Sequence, residues 1–223
     1  MKEYLLPFLA VIISFVLMVV IKGIRDRSYK LLLAFSGAFL LSLTIFELLP
    51  DVYRFDNPKI LGVCILGGIL LQIILEFFSR GAEHGHMHFV ISARFPWIVF
   101  LSLGLHALME GIPISSGENI LFGIVVHKIP IALILSAFIL QSEISIGKAA
   151  LFMTAFAIMT PFGTYLTTVL PGFENYQLYL KAVVVGMFLH ISTVILFESS
   201  EGHTFNFRKV IAIILGLIIA YFL

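Results

Sequence analysis

The sequence predicts an all-α integral membrane protein of eight transmembrane helices, and three observations support this fold class. Hydrophobic residues make up 60% of the 223 positions and charged residues only 12%, against roughly 45–50% and about 25% in soluble domains. The hydrophobic residues form eight runs, most of them near the ~20 residues that a helix needs to cross a ~30 Å hydrocarbon core. Stretches of about 10 residues with alternating polarity, which are typical of membrane β-barrels, do not occur.

The eight runs are assigned as spans in chain order. The first follows Lys2 and Glu3, lacks a small-residue cleavage site and precedes the basic segment KGIRDRSYK, so we interpret it as a retained helix rather than a signal peptide. The last run has only 17 residues and is the weakest of the eight. The predicted spans are residues 4–21, 31–50, 59–78, 96–113, 119–140, 147–168, 179–198 and 207–223.

The connections between the spans are short. SSGEN joins spans four and five, and PGFENYQ joins spans six and seven. The one long polar connector is SRGAEHGHMHFVISAR, between spans three and four. We therefore expect residues 1–223 to form a single transmembrane domain without a soluble domain.

Two spans resemble each other. SGAFLLSLTIFELLPD in span two and VGMFLHISTVILFESSE in span seven both begin with a small residue and end with acidic residues. Since these spans cross in opposite directions, the likeness predicts an inverted repeat of helices 1–3 and 6–8, as in many transporters. A chance match between two apolar helices remains the alternative.

Basic residues predict the orientation. With both termini outside, nine Lys and Arg residues fall on the cytoplasmic side and four on the outer side, while Lys128 lies within the membrane. This excess favours a multi-pass cell-membrane protein with both termini outside and residues 80–94 in the cytoplasm.

Spans four and five contain ionisable residues near the middle of the membrane. His106 lies ten residues into span four, about 15 Å deep, and His127 lies eight residues into span five, about 12 Å deep, at ~1.5 Å per residue. Because the two spans are antiparallel, both histidines reach a similar level. Glu110 is four residues after His106 and shares its helix face.

These residues predict a metal site. An ionisable group at the bilayer centre costs about 2.5–3.5 kcal/mol or more, which makes such groups functional candidates. Histidine nitrogens and a carboxylate together suit zinc and similar divalent ions. We therefore predict that His106, Glu110 and His127 bind a metal ion. The alternative is a structural ion pair between Glu110 and Lys128.

Other polar residues of the spans are weaker candidates. His190, near the middle of span seven, is either a further metal ligand or a packed polar contact, and Gln72 and Thr160 lie at similar depths. Glu47 and Asp51 lie four residues apart near the outer end of span two, where they form either an ion-loading site or a solvated helix end.

Two further groups are expected on the cytoplasmic side. The first group consists of Glu198, Glu201 and His203. It either receives an ion that leaves the membrane or is simply solvated. The other is the EHGHMH segment, either a metal-binding tract or an ordinary polar loop, and contains His84, His86 and His88.

HALMEG in span four and HKIPIA in span five resemble the paired motifs of the ZIP (Zrt/Irt-like) family of metal-ion transporters. Helices four and five of that family typically carry H-N-x-P-E-G and H-N/D/E-x-P-E-G patterns. FELLPD, TPFG and GMFLHISTVILFES extend the likeness along the chain. The resemblance implies a ZIP-like bundle that moves divalent transition-metal ions, zinc above all, into the cytoplasm through His106, Glu110 and His127. The metal would be a transported ion, and no cofactor is expected.

The sequence also departs from the family pattern. Ala107 and Met109 replace the usual Asn and Pro of helix four. Ile131 replaces the second glutamate of the paired motifs, which lies in helix five. Lys128 stands where a metal-binding Asn, Asp or Glu is common. The family's site is often binuclear, so these changes predict a mononuclear site, with Lys128 as a fixed cation in the place of a second ion. The competing interpretation is that Lys128 points away and that the site has decayed.

Two other function classes are alternatives to transport. An intramembrane metal-dependent hydrolase would also use histidine and carboxylate ligands, but the sequence has no HExxH motif and no recognisable nucleophile paired with histidine, so we do not expect an enzyme. A non-transporting metal-binding membrane protein is the other alternative. The expected partners are the lipid bilayer and divalent metal ions, with a homodimer left open. The net charge of +1 gives no reason to expect nucleic acid.

Overall fold

The computed structural model describes residues 1–21, 26–54, 57–79, 95–198 and 207–223, and all secondary structure within these ranges is helical. The elements, in chain order, are α1 (Lys2–Ile21), α2 (Asp26–Leu43), a π-helical turn (Thr44–Leu48), α3 (Leu49–Tyr53), α4 (Pro58–Ser79), α5 (Trp97–Glu110), a 3-10 helix (Ile112–Ser116), α6 (Glu118–Gln141), α7 (Ile146–Val169), a 3-10 turn (Phe173–Asn175), α8 (Gln177–Glu198) and α9 (Phe207–Tyr221).

The predicted eight-helix membrane fold is confirmed. Among the described residues, seven helical segments are long and apolar enough to cross a membrane, including the continuous segments Lys30–Tyr53 and Trp97–Ser116. The eighth helix, α9, has 15 residues, a length of about 22 Å at ~1.5 Å per residue. It ends at Tyr221, two residues before the predicted end of span eight.

Prolines interrupt two of the spans. Pro50 has no N–H to bond the carbonyl of Phe46, and span two widens there into the π-helical turn that contains Glu47. Pro113 likewise removes the bond to the carbonyl of Met109, so α5 ends at Glu110 and continues as a 3-10 helix. Glu110 is therefore the last residue of its α-helix.

Some of the helix contacts have the counterparts expected for the predicted inverted repeat, although the contacts of α2 with α6 and of α4 with α5 are not matched to the same extent. If spans 1–3 exchange with spans 6–8, the contact of α4 with α8 corresponds to the contact of α9 with α2, and the structure contains both. The contacts of α1 with α6 and of α5 with α7 correspond in the same way.

Buried apolar residues form two main clusters on either side of α6. One cluster contains residues of α2, α4, α6 and α8, and the other contains residues of α1, α5, α6 and α7. The outer surface is also apolar, because large side chains such as Val20, Phe77 and Phe197 are 72%, 77% and 77% exposed. Such a surface suits lipid rather than water.

Glycines bring α4 and α8 into close contact. A Cβ atom at Gly68 would overlap the carbonyl oxygen of Val183, and one at Gly186 would overlap the carbonyl oxygen of Ile65. Small residues allow this approach of two backbones within a membrane. The glycines therefore determine the spacing of the two helices.

We expect Gly68→Ala to destabilise the folded protein, because the added methyl group must push α8 away; overpacking of this kind costs about 1–3 kcal/mol. Gly67→Ala is the matched control, since a Cβ at that neighbouring position meets nothing within 4 Å. Thermal unfolding in detergent measures both. Equal unfolding temperatures for the two variants would contradict this account of the α4–α8 contact.

Candidate metal site

Helices α5 and α6 bring four ionisable side chains together inside the protein. His106 and Glu110 lie on α5, and His127 and Lys128 lie on α6. These residues are 5%, 2%, 1% and 3% exposed, respectively. The group is therefore inside the bundle and away from lipid.

The Glu110 carboxylate is the centre of this group. Its Oε1 atom lies 3.0 Å from His106 Nε2 and 3.5 Å from His127 Nε2. Its Oε2 atom lies 2.5 Å from Lys128 Nζ, which is also 5.3 Å from the centre of the Phe156 ring. One carboxylate oxygen thus faces two histidines, and the other faces the ammonium group.

The spacing of these atoms fits a divalent metal ion. His106, Glu110 and His127 each offer a ligand atom, and the three atoms lie within 4.8 Å of one another. Tetrahedral zinc has ligands at about 2.0–2.2 Å, which places neighbouring ligand atoms about 3.4 Å apart. The nitrogen-to-oxygen distances of 3.0 and 3.5 Å lie on either side of this value. Small side-chain adjustments would allow all three atoms to bind one ion.

A small cavity adjoins the three ligand atoms. Its polar lining consists of the four ionisable residues, and its apolar lining consists of Leu103, Ile131, Phe156 and Ile191. Ile131 lies against the cavity without offering a donor atom. Apolar walls lower the local dielectric constant, which strengthens the interaction between an ion and its charged ligand.

The nitrogens of the two histidines that face away from Glu110 also have partners. His106 Nδ1 lies 3.2 Å from Gln72 Oε1 on α4. His127 Nδ1 lies 2.8 Å from Ser36 Oγ on α2. Gln72 is recognisable in the sequence as a polar residue in an apolar span. Ser36 was missed, because serine is common in membrane helices and gives no distinctive signal.

Helix α7 holds the end of α5 in place. The Thr160 hydroxyl donates to the carbonyl oxygen of Ala107 at 2.7 Å, and the Thr164 hydroxyl donates to that of Gly111 at 2.9 Å. Gly111 and Gly163 allow the two backbones to approach closely. The helix end that contains Glu110 is therefore attached on both sides of that residue.

His190 lies in a different pair. Its Nε2 atom is 2.7 Å from Glu76 Oε2 on α4, and the two side chains are 16% and 25% exposed. Within the part of the chain that the structure describes, His190 does not belong to the possible metal-binding group around Glu110. Glu76 was not predicted as a site residue, because a carboxylate near the end of a span is ordinarily solvated.

Near the predicted outer end of span two, Asp51 pairs with Lys181 of α8. The distance from Lys181 Nζ to Asp51 Oδ2 is 3.1 Å. Glu47 lies in the π-helical turn and is half-buried. The structure therefore places a basic residue, which was not expected from the sequence, beside one of the two acids considered as either an ion-loading site or a solvated helix end.

The remaining candidates are those predicted on the cytoplasmic side. Glu198 ends α8, but its side chain lies outside the description. The candidates that lie outside the described residues are His84, His86, His88, Glu201 and His203.

Comparisons with known proteins identify the family of this chain. The sequence model of the family described as ZIP Zinc transporter matches residues 79–223, more than half of the chain. Zinc transporter ZIP1 of Danio rerio is 31% identical over 122 residues, which cover 49% of this chain and 40% of that relative. The chain thus spans less than half of the relative's length. The predicted resemblance to this family is confirmed, and the chain belongs to the ZIP zinc transporter family.

Proposed function

We propose that this protein moves a divalent transition-metal ion, zinc above all, into the cytoplasm through His106, Glu110 and His127. The observation that carries the proposal is the approach of two histidine Nε2 atoms to one Glu110 oxygen, at 3.0 and 3.5 Å. A structural ion pair between Glu110 and Lys128 requires only the second carboxylate oxygen of Glu110, Oε2. It does not account for two histidines at the same buried place.

Family membership supports transport rather than catalysis. The relative's name describes it as a zinc transporter, and zinc is accordingly the first ion to test here. Transporters of this architecture rock one group of helices against another around a site near the midplane. Three protein ligands leave part of the coordination sphere open, which would allow the ion to leave as well as to bind.

We further propose that the site holds one ion. Lys128 Nζ lies 2.5 Å from Glu110 Oε2, on the carboxylate oxygen that could otherwise bridge to a second metal. Like Lys128, Ala107 and Ile131 supply no metal ligand at positions where the family pattern has one. The fixed positive charge would also lower the affinity for the ion that does bind, because like charges repel.

The direct test is uptake into proteoliposomes that contain the purified chain. Zinc, iron, manganese, cadmium and cobalt are compared, and we expect saturable uptake that distinguishes among them. Metal binding without uptake would favour the non-transporting alternative. Uptake no greater than in protein-free vesicles for every metal would overturn the proposal.

The proposed direction also requires a defined topology, with both termini outside and residues 80–94 in the cytoplasm. In a Cys64→Ala background, a cysteine placed at Ser116 is expected to react with a membrane-impermeant maleimide added to intact cells. A cysteine placed at Gly85 should react only after the cells are permeabilised. The reverse pattern of labelling would invert the topology and contradict inward transport.

A further inference from the structure

Each of the two histidines of the candidate metal site has a hydrogen-bond partner at Nδ1, the ring nitrogen that faces away from Glu110. His106 Nδ1 is 3.2 Å from Gln72 Oε1, and His127 Nδ1 is 2.8 Å from Ser36 Oγ. Gln72 and Ser36 are both fully buried, at 0% exposure. They belong to α4 and α2, so each histidine is held by a helix other than its own.

The chemistry of the partners sets the direction of the first hydrogen bond. An amide oxygen has no hydrogen, so Gln72 Oε1 can only accept. His106 Nδ1 must therefore carry the hydrogen and donate it. In the neutral imidazole, the unprotonated nitrogen is then Nε2, which is the atom that faces Glu110.

The second hydrogen bond is compatible with the same tautomer. The Ser36 hydroxyl can donate to the backbone carbonyl oxygen of His127, at 3.5 Å. Its oxygen then keeps lone pairs that can accept a hydrogen bond from His127 Nδ1. The neutral His127 ring then also presents an unprotonated Nε2 towards Glu110.

We propose that Gln72 and Ser36 are positioning residues that orient both histidines, so that each binds the metal ion through Nε2. This inference rests on the proposed function, since it concerns the same metal site. Hydrogen bonds of this type fix the tautomer and orientation of metal-binding histidines, and their loss typically lowers metal affinity by about 10–100-fold. Neither residue touches the ion in this proposal.

Cobalt binding to the purified full chain tests the proposal, because Co²⁺ gives visible absorption bands that report its coordination. Gln72→Leu and Ser36→Ala are each expected to weaken Co²⁺ binding by about 10–100-fold and to change those bands. Gln72→Glu and Ser36→Thr retain an acceptor oxygen and are expected to recover the parent spectrum and most of the affinity.

Two buried residues provide matched controls. Ser42 lies on α2 like Ser36, but its hydroxyl donates only to the Ala38 carbonyl oxygen of its own helix, at 2.8 Å. Ser14 on α1 likewise donates to the Ala10 carbonyl oxygen of its own helix, at 2.7 Å. Ser42→Ala and Ser14→Ala are expected to leave the cobalt spectrum unchanged, even if they alter thermal stability.

The outcomes separate this inference from the function on which it rests. If the parent binds Co²⁺ and His106→Ala does not, while Gln72→Leu and Ser36→Ala keep the parent affinity and spectrum, the positioning role is overturned and the metal site stands. Equal weakening by the control substitutions also overturns it, because the effect would then be general destabilisation. A parent chain that neither binds nor transports any tested metal would overturn the proposed function itself.

Discussion

Replacing His106 or Glu110 is expected to reduce metal uptake to the level of protein-free vesicles, a loss of at least about 100-fold, since even partners that only orient metal ligands are worth about 10–100-fold. His106→Ala removes one of the three atoms that converge on the proposed ion. Glu110→Gln retains the shape of the side chain and removes the negative charge that both histidines and Lys128 face. Initial rates of zinc, cadmium and cobalt uptake measure the effect.

Glu110→Ala needs a stability measurement beside it. The substitution would leave Lys128 buried without its carboxylate, and breaking a buried pair in this way destabilises proteins by about 3–5 kcal/mol. His106→Ala leaves the pair of Glu110 and Lys128 intact, so it separates loss of binding from loss of folding, provided that the variant elutes from gel filtration as the parent does. Glu110→Gln also removes the negative charge beside Lys128 and needs the same stability measurement.

His190→Ala is the matched histidine control for this experiment. His190 belongs to a span of similar apolar character, but it pairs with Glu76 at 2.7 Å rather than with Glu110. We expect the variant to retain saturable uptake. If His106→Ala and Glu110→Gln transport every tested metal at the parent rate, the assignment of the pathway to this site is wrong.

Changing Lys128 and Ile131 together is expected to change the number of metal ions that the protein binds. The parent is expected to bind one ion within the membrane, and the double substitution Lys128→Asn with Ile131→Glu is expected to bind two. Removal of the ammonium group would release Glu110 Oε2, which lies 2.5 Å from it. The new glutamate would add a carboxylate to the cavity that Ile131 now lines. Metal content per chain, measured after equilibrium dialysis, gives the stoichiometry.

The single substitutions serve as controls for the double change. Ile131→Glu alone is expected to keep a stoichiometry of one, because the Lys128 charge remains and the new carboxylate can pair with it. Lys128→Asn alone removes the repulsion without restoring the second carboxylate, and we expect a tighter single site. Two ions within the membrane of the unmodified protein would rule out the proposed role of Lys128.

The site was predictable to the extent that it depends on local helix geometry. His106 and Glu110 share a face because they are four residues apart, and their depth follows from the rise per residue. The antiparallel arrangement of spans four and five then brings His127 to the same level. These rules need no knowledge of the other helices, and the structure brings the predicted group of three together.

The partners of this group were harder to predict because they come from distant parts of the chain. Ser36 and His127 are separated by 91 positions, and Glu76 and His190 by 114. Whether two such residues meet depends on how each helix is rotated about its axis and which helices are neighbours. No periodicity within one span contains that information.

Hydrophobicity and run length were sufficient to establish a membrane protein of eight helices, because the hydrocarbon core imposes the same length and polarity on every span. Helix packing decided the rest. Gly68 and Gly186 allow α4 to pack closely against α8. This packing brings Glu76 of α4 within 2.7 Å of His190 of α8. The tertiary arrangement likewise placed Lys128 of α6 against Glu110 of α5. The helical period placed its side chain about 100° from His127, but only the neighbouring helix could determine which group it would meet.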